Sequence, residues 1–233
     1  MQNIQLLKWC REYGVKAKWN MLYGFPGEAR QDYADTMNLL PSITFLDPPT
    51  ACGPIRLDRF SPYFTEPSAY GLTSIRHMPV YDYIYPFSKK SVNKIAYYFD
   101  YDYETDKNPS GYATGLMQLV EDWQHRPDRG TLQAIEKLDG TLVLVDKRKN
   151  ALGREYTLTG ADRIVYDYCD RVRSTSAVHR HLTLVYPTAN LSRFQVKAFL
   201  DNLTAHRLMV GDKDRYLSLA VHTRPASVPP INP

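Results

Sequence analysis

Cysteine is scarce: the chain of 233 residues has three, Cys10, Cys52 and Cys169. Spaced so widely, they build no CxxC, no Cys/His pair at ligand spacing and no disulfide framework. The expected state is that of reduced, mostly buried thiols in a cytoplasmic protein, with no metal role. Long apolar runs are lacking too. None approaches the roughly 18 to 20 residues of a membrane span, so no membrane partner is expected. Gln2-Asn3-Ile4-Gln5 has neither the basic start nor the apolar stretch of a signal peptide. Charge of one sign is in small excess: 29 Lys and Arg against 25 Asp and Glu leave +4. That does not demand nucleic acid. With 12 Gly, 16 Pro and 18 Tyr that need somewhere to pack, collagen, coiled coil and wholesale disorder are excluded.

What is present is an alternation of helix and strand signals. Residues 2–13 predict a helix, with Leu6, Trp9, Cys10 and Tyr13 on one face and Gly14 as its stop. Residues 15–24 predict a strand, broken by Gly24-Phe25-Pro26-Gly27. A helix over 29–40 follows, with Tyr33, Thr36, Met37 and Leu40 on one face, and then a strand over 55–61. This order suggests parallel strands with crossover helices. Residues 62–86 are irregular. Ser88 is a good N-cap for a helix bearing Val92, Ile95, Ala96 and Phe99. Asp100 to Asp106 predict an acidic loop, and Asn108-Pro109-Ser110-Gly111 a turn. Leu116, Leu119, Val120 and Trp123 mark a helix closed by Pro127 and Gly130.

Beyond residue 130 the texture changes. Residues 131–138 and 141–146 read as strands joined by Asp139-Gly140, a type I′ hairpin signal. Thr159 caps a helix with Ala161, Ile164, Val165 and Tyr168. Another helix spans 175–182, and Ser192 caps a longer one with Val196, Phe199, Leu200 and Leu203. A hairpin turns at Gly211-Asp212-Lys213. Three helices and a terminal hairpin make a winged-helix pattern. The expected fold is thus α/β, then α+β. Its segments are 1–86, a helical extension over 87–130, a hairpin plus winged-helix-like module over 131–222, and a tail over 223–233. Two parallel strands have open edges and too little cover to stand alone. Either further strands go unread, or the chain begins in the middle of a larger barrel-like domain.

The stretch QNIQLLKWCREYGVKAKWNMLYGFPGE (2–28), followed by GPIRLDRFSPYF (53–64), resembles the later part of the radical S-adenosylmethionine (SAM) domain. More narrowly, it is similar to the cobalamin-dependent enzymes of the ribosomal-peptide maturation radical SAM protein 1 family. The likeness continues through Ile84-Tyr85-Pro86-Phe87, Ala96 to Tyr101, and Asp214-Arg215-Tyr216-Leu217-Ser218-Leu219-Ala220-Val221. It implies the fifth and sixth strands of a barrel, then the family's C-terminal region. It also implies cytoplasmic maturation of a precursor peptide by radical methylation or a related step. The implied cofactors are S-adenosylmethionine, a [4Fe–4S] cluster and cobalamin. The departure is severe, since the family's CxxxCxxC cluster motif and cobalamin domain have no counterpart here. The chain alone is expected to hold none of these cofactors and to be inactive.

In such enzymes the fifth strand and its glycine-rich end lie near the S-adenosylmethionine. Here that points to Asn20, Gly24, Pro26, Gly27 and Glu28. Glycines let backbone approach a ligand, and the following helix turns its amides towards the barrel mouth. The other reading is a strand-to-helix turn that Glu28 simply caps. Arg56 and Asp58 share a strand face and suit an ion pair. Arg59 beside Ser61 could face cofactor or substrate. The tyrosines at 81, 83, 85, 97, 98, 101 and 103 suit packing better than ligand stacking. Asp100, Asp102, Glu104 and Asp106 suit a solvated loop better than a calcium site. His179 and His181 have poor ligand spacing.

The C-terminal module also resembles small peptide-recognition elements, in which a leader peptide adds as a strand to a three-stranded sheet. Residues 141–146 or 131–138 would be that edge. The alternatives are a packing domain that binds nothing and a DNA-binding winged helix. The last would use Arg193, Gln195, Lys197 and Asn202 on the long helix and Lys213 and Arg215 on the wing. Asp201, Asp212 and Asp214 intrude on that surface, so nucleic acid is not favoured.

Overall fold

A computed structural model describes residues 1–104 and 109–223. Asp106, Asn108 and the tail from 224 onward therefore lie outside the described residues. The first part contains α1 (Gln2–Glu12), β1 (Asn20–Tyr23), α2 (Arg30–Ile43), β2 (Ala51–Pro54), β3 (Leu57–Asp58) and α3 (Pro62–Thr65). Next come β4 (Leu72–His77), α4 (Val80–Ile84), α5 (Lys89–Ile95), β5 (Tyr98–Tyr103) and α6 (Pro109–Gln124). Then follow β6 (Leu132–Glu136), β7 (Leu142–Asp146), β8 (Glu155–Leu158), α7 (Gly160–Tyr168) and β9 (Arg173–Ser174). Last are α8 (Thr175–Val185), α9 (Arg193–Ala205), β10 (Met209–Asp212), β11 (Arg215–Ser218) and β12 (Val221–His222). The fold is mixed α/β with several small sheets, and among the described residues none closes into a barrel. No described helix is long and apolar enough to cross a membrane.

The chain divides into two compact units, each assembled from separate stretches. One comprises residues 19–37 and 49–121. In it β1 and β2 pair in parallel, Asn20 opposite Ala51 and Tyr23 opposite Pro54. The second parallel strand is thus 51–54, earlier than the expected 55–61. Within that stretch only Leu57–Asp58 is a strand, and it lies antiparallel to β5 in a different sheet. That sheet has the order β3-β5-β4. Its core is Leu57, Leu72, Ala96 and Phe99, with Tyr63, Tyr70, Tyr81, Tyr101 and Tyr103 packed around it. Of the tyrosines expected to pack, Tyr81, Tyr101 and Tyr103 do so, whereas Tyr83, Tyr85 and Tyr97 are exposed. β5 replaces the expected acidic loop, and α6 begins at Pro109, where a turn was expected. Ser88 caps α5 as expected, accepting from the Ser91 amide.

The other unit comprises residues 1–18, 38–48 and 122–233. β6, β7 and β8 form an antiparallel meander, and β12 pairs in parallel with β6. The β6–β7 turn is not type I′. Only Gly140 (φ 82°) is left-handed there, while Leu138 and Asp139 are not. The Gly140 amide donates to Lys137 O, and Lys137 N to Thr141 O, the pattern of a type I turn closed by a left-handed glycine. After the meander come α7, β9, α8, α9 and the β10–β11 hairpin. β9 pairs with β11 to give a sheet of order β10-β11-β9.

Two buried cations staple this unit. Arg148, 1% exposed, donates to Asp146 Oδ1 and Oδ2 at 2.9 and 2.6 Å, to Ser42 O at 2.8 Å and to Arg207 O at 2.9 Å. Lys8 Nζ, fully buried, donates to Asp170 Oδ1 at 2.5 Å and Ser218 O at 3.0 Å. Burial lowers the Lys8 pKa. This rotates α1 away from the expected face: Ile4, Leu7 and Lys8 are inside, while Leu6 and Tyr13 are exposed. Hydrophobic periodicity assigns a lysine to solvent. Here a partner carboxylate carries it inward.

Candidate functional site

The glycine-rich turn lies at the carboxyl end of β1. Gly24 (φ 84°) and Gly27 (φ 88°) are both left-handed, a region that a Cβ disfavours. At Gly27 a Cβ would meet nothing within 4 Å, so backbone conformation, not a close neighbour, demands the glycine. Glu28 reaches back over the turn. Its Oε2 accepts from Gly24 N at 2.8 Å, from Phe25 N at 2.9 Å and from the Tyr33 hydroxyl. Tyr103 donates its hydroxyl to Gly24 O, and Tyr101 to Ile55 O at 3.1 Å. Burial pushes the Tyr33 and Tyr103 phenols up, assisted by Glu28 and Tyr101 respectively. Both remain neutral donors that fix the loop.

Gly24, Gly27 and Glu28 thus come together, with Pro26 half-buried between the glycines. Chemically they form a turn whose two leading amides are filled by the chain's own carboxylate. An anionic ligand would have to displace Glu28 to reach them. Asn20 is exposed at the other end of β1. Arg59 is used elsewhere. Its guanidinium donates to Ala96 O at 2.5 Å and to Asn93 O, capping α5, and lies 5.1 Å from the Phe99 ring centre. Ser61 caps α3 by accepting from Phe64 N at 3.3 Å. Arg56 and Asp58 form the expected ion pair, at 2.6 and 2.9 Å. Sequence reading missed the phenol network. Its available signal was the inward alternation of Phe99, Tyr101 and Tyr103 within an acidic stretch.

The thiols form no ligand set for iron. Cys10 and Cys52 are half-buried and Cys169 is buried. Burial pushes Cys52 up and Cys169 to about 12, which keeps both protonated. Among the described residues no three His, Cys, Asp or Glu side chains group to hold a metal ion. These residues do not fit a [4Fe–4S] cluster.

The stronger candidate is the edge of the meander. β7 is interior, and β6 carries β12, so neither expected edge strand is fully open. Among the described residues the sheet ends on β12 at one side and on the longer β8 at the other, so β8 is an open edge. Asp146 N donates to Arg154 O at 2.9 Å, which marks a hydrogen-bonded pair. Such pairs alternate, and Val143 opposes Thr157 and Val145 opposes Glu155. The backbone N–H and C=O groups of Glu155 and Thr157 therefore point away from β7, towards the free edge. Tyr156 lies edge-on to His206 at the end of α9, ring centres 5.9 Å apart. Its hydroxyl is buried with no hydrogen-bond partner among the described residues. A strand whose outward N–H and C=O groups are unpaired can accept a further strand.

Of the cations expected to read DNA, the two on α9 are engaged, while Lys213 and Arg215 on the wing are exposed and form no ion pair among the described residues. Arg193 meets Asp214 at 3.5 Å. Lys197 donates to Asp201 at 2.6 Å, and the Tyr216 hydroxyl donates to the same carboxylate at 2.6 Å. Gln195 completes a capping box with Ser192. The histidines serve packing: His181 stacks on Tyr168 with centres 3.8 Å apart, and His179 Nε2 lies 3.0 Å from Leu191 O. Comparison with protein-family models, with curated proteins and with solved structures returned no match.

Proposed function

We propose that this chain is the C-terminal part of a cobalamin-dependent radical SAM enzyme of ribosomal-peptide maturation, and that its own task is to hold the precursor peptide. The family reading is supported by the GFPGE turn, the RFSPYF stretch and the RYLSLAV ending, taken together. In that family the cofactors supply the radical chemistry. Precursor peptides are made by ribosomes, so this role goes with a cytoplasmic location.

The peptide-holding role is carried by one observation, the open β8 edge. It ends a three-stranded meander that is followed by α7, α8, α9 and a hairpin. That order and the β10-β11-β9 sheet suit a winged-helix recognition module. In this role the leader lies along β8. Glu155 and Thr157 supply two N–H donors and two C=O acceptors, and the incoming side chains set register against the neighbouring surface. Backbone bonds and apolar contacts make such binding weakly salt-dependent, whereas DNA binding falls steeply with salt.

Titrating the full chain with a leader peptide encoded at the same locus tests this. Saturable binding at micromolar to hundred-micromolar concentration is expected. Thr157→Pro removes an outward N–H without touching the β7 ladder and should weaken binding about five- to tenfold, with the circular dichroism spectrum unchanged. Absence of saturation, or equal affinity in the proline variant, would count against the proposal.

A further inference from the structure

We infer that the tip running from α4 into α5 is a lipid-contacting element that seats one unit on an anionic bilayer surface. Every residue from Asp82 to Ser91 is exposed. Tyr83 is 90% exposed, Ile84 59% and Phe87 58%. Large apolar side chains seldom stand so fully in water in one contiguous stretch, and such patches mark interaction sites.

The tip is exposed but not loose. At its base His77 Nε2 lies 2.8 Å from Asp82 Oδ1, and the Tyr81 hydroxyl accepts from the Tyr97 and Tyr98 amides at 3.0 and 3.2 Å. Val92 of α5 is fully buried, and Arg59 caps that helix. Tyr85 and Phe87 stack at 6.0 Å across Pro86. A pre-ordered tip loses little conformational freedom on docking.

Shape and charge select the occupant. Ten consecutive exposed residues form a projection, not a groove that would half-bury its lining. A projection suits a deformable surface that closes around it. Lys89, Lys90 and Lys94 are exposed and form no ion pair among the described residues, while the nearby Asp82 is engaged by His77. Aromatic and aliphatic side chains backed by lysines are the composition of interfacial anchors on anionic lipid. A single-stranded nucleic acid would use the rings and the lysines but gains nothing from Val80, Ile84 or Ile95. The contact is peripheral, since no described helix can span.

Co-sedimentation of the full chain with vesicles tests the inference. Binding should be strong on phosphatidylcholine containing about 30% phosphatidylglycerol, weak on phosphatidylcholine alone, and reduced by salt. Tyr83→Ser with Phe87→Ser, and separately Lys89→Glu with Lys90→Glu, should each lower the anionic-vesicle affinity about tenfold or more. All four side chains are exposed, so folding should survive. Three results would overturn the inference: no vesicle binding, binding that both double variants retain, or binding of an oligonucleotide that the same variants abolish instead.

Discussion

His77 is held between two oxygen acceptors. The backbone N–H of His77 donates to Asn93 Oδ1 at 3.4 Å, which turns the amide oxygen, not its nitrogen, towards the histidine. Nδ1 at 2.5 Å from that oxygen must then donate, and Nε2 at 2.8 Å from Asp82 Oδ1 must donate as well. Only the imidazolium carries both protons. The Asn93 and Asp82 hydrogen bonds accordingly raise the His77 pKa above 6.5, with Lys89 opposing. A folded-state value above the unfolded one stabilises fully below about pH 6.5 and loses that stabilisation as pH rises through the folded value. The stability gap between wild type and His77→Gln, measured by urea unfolding, should therefore be larger at about pH 6 than at about pH 8. Ring titration by NMR should place His77 above an ordinary histidine. Other side-chain roles depend on what the chain brings alongside from a distance. Arg56–Asp58 was legible because both partners share one short strand. Arg59 was not, because the carbonyls it caps belong to Asn93 and Ala96.

At the level of elements, helix starts carry a chemical signature that sequence alone can rank. Ser192 and Gln195 form a full capping box: Ser192 accepts from Gln195 N, and the Gln195 side chain accepts from Ser192 N at 2.9 Å. Thr159 occupies the N-cap position of α7 but makes no capping bond with its side chain. Ser192→Ala should cost about 1 kcal/mol in urea unfolding and Thr159→Ala distinctly less. Equal costs would show that residue type at the cap, not the bond itself, decides. Strands were harder to read than helices. β5 reads as an acidic loop, yet Phe99, Tyr101 and Tyr103 pack on the core while Tyr98, Asp100 and Asp102 alternate with them. β4 hides its period behind a register shift between Thr73 and Arg76, where Ser74 is left-handed at φ 53°. β8 has four residues, too few for a period to show.

For the whole molecule, folding partners are not neighbours in sequence. The candidate module over 131–222 looks separable because Pro127 and Gly130 punctuate the chain before it, and local composition is all that a boundary signal contains. Contacts divide the chain otherwise: 1–18 and 38–48 belong with 122–233. The reason lies in buried polar groups. Arg148 spends one guanidinium N–H on Ser42 O, and Arg129 donates to Leu46 O at 3.0 Å. Trp123 Nε1 donates to the same carbonyl at 3.2 Å. Asp170 is neutralised by Lys8 and bound by Trp9 Nε1 at 2.9 Å. A fragment of residues 131–223 keeps Arg148 and Asp170 but loses Ser42, Lys8 and Trp9. Arg148 keeps Asp146 and loses only the Ser42 carbonyl, while Asp170, 30% exposed in the full chain, loses both of its side-chain donors. Hydrogen bonds to charged groups are worth about 1.5–3 kcal/mol each, a large share of the stability of an ordinary domain. The fragment should therefore show poorer amide dispersion by NMR and an earlier urea midpoint than the full chain. Supplying residues 1–48 in trans should recover part of both. A fragment that matches the full chain unaided would mean that these staples are dispensable and that the composition boundary is the physical one.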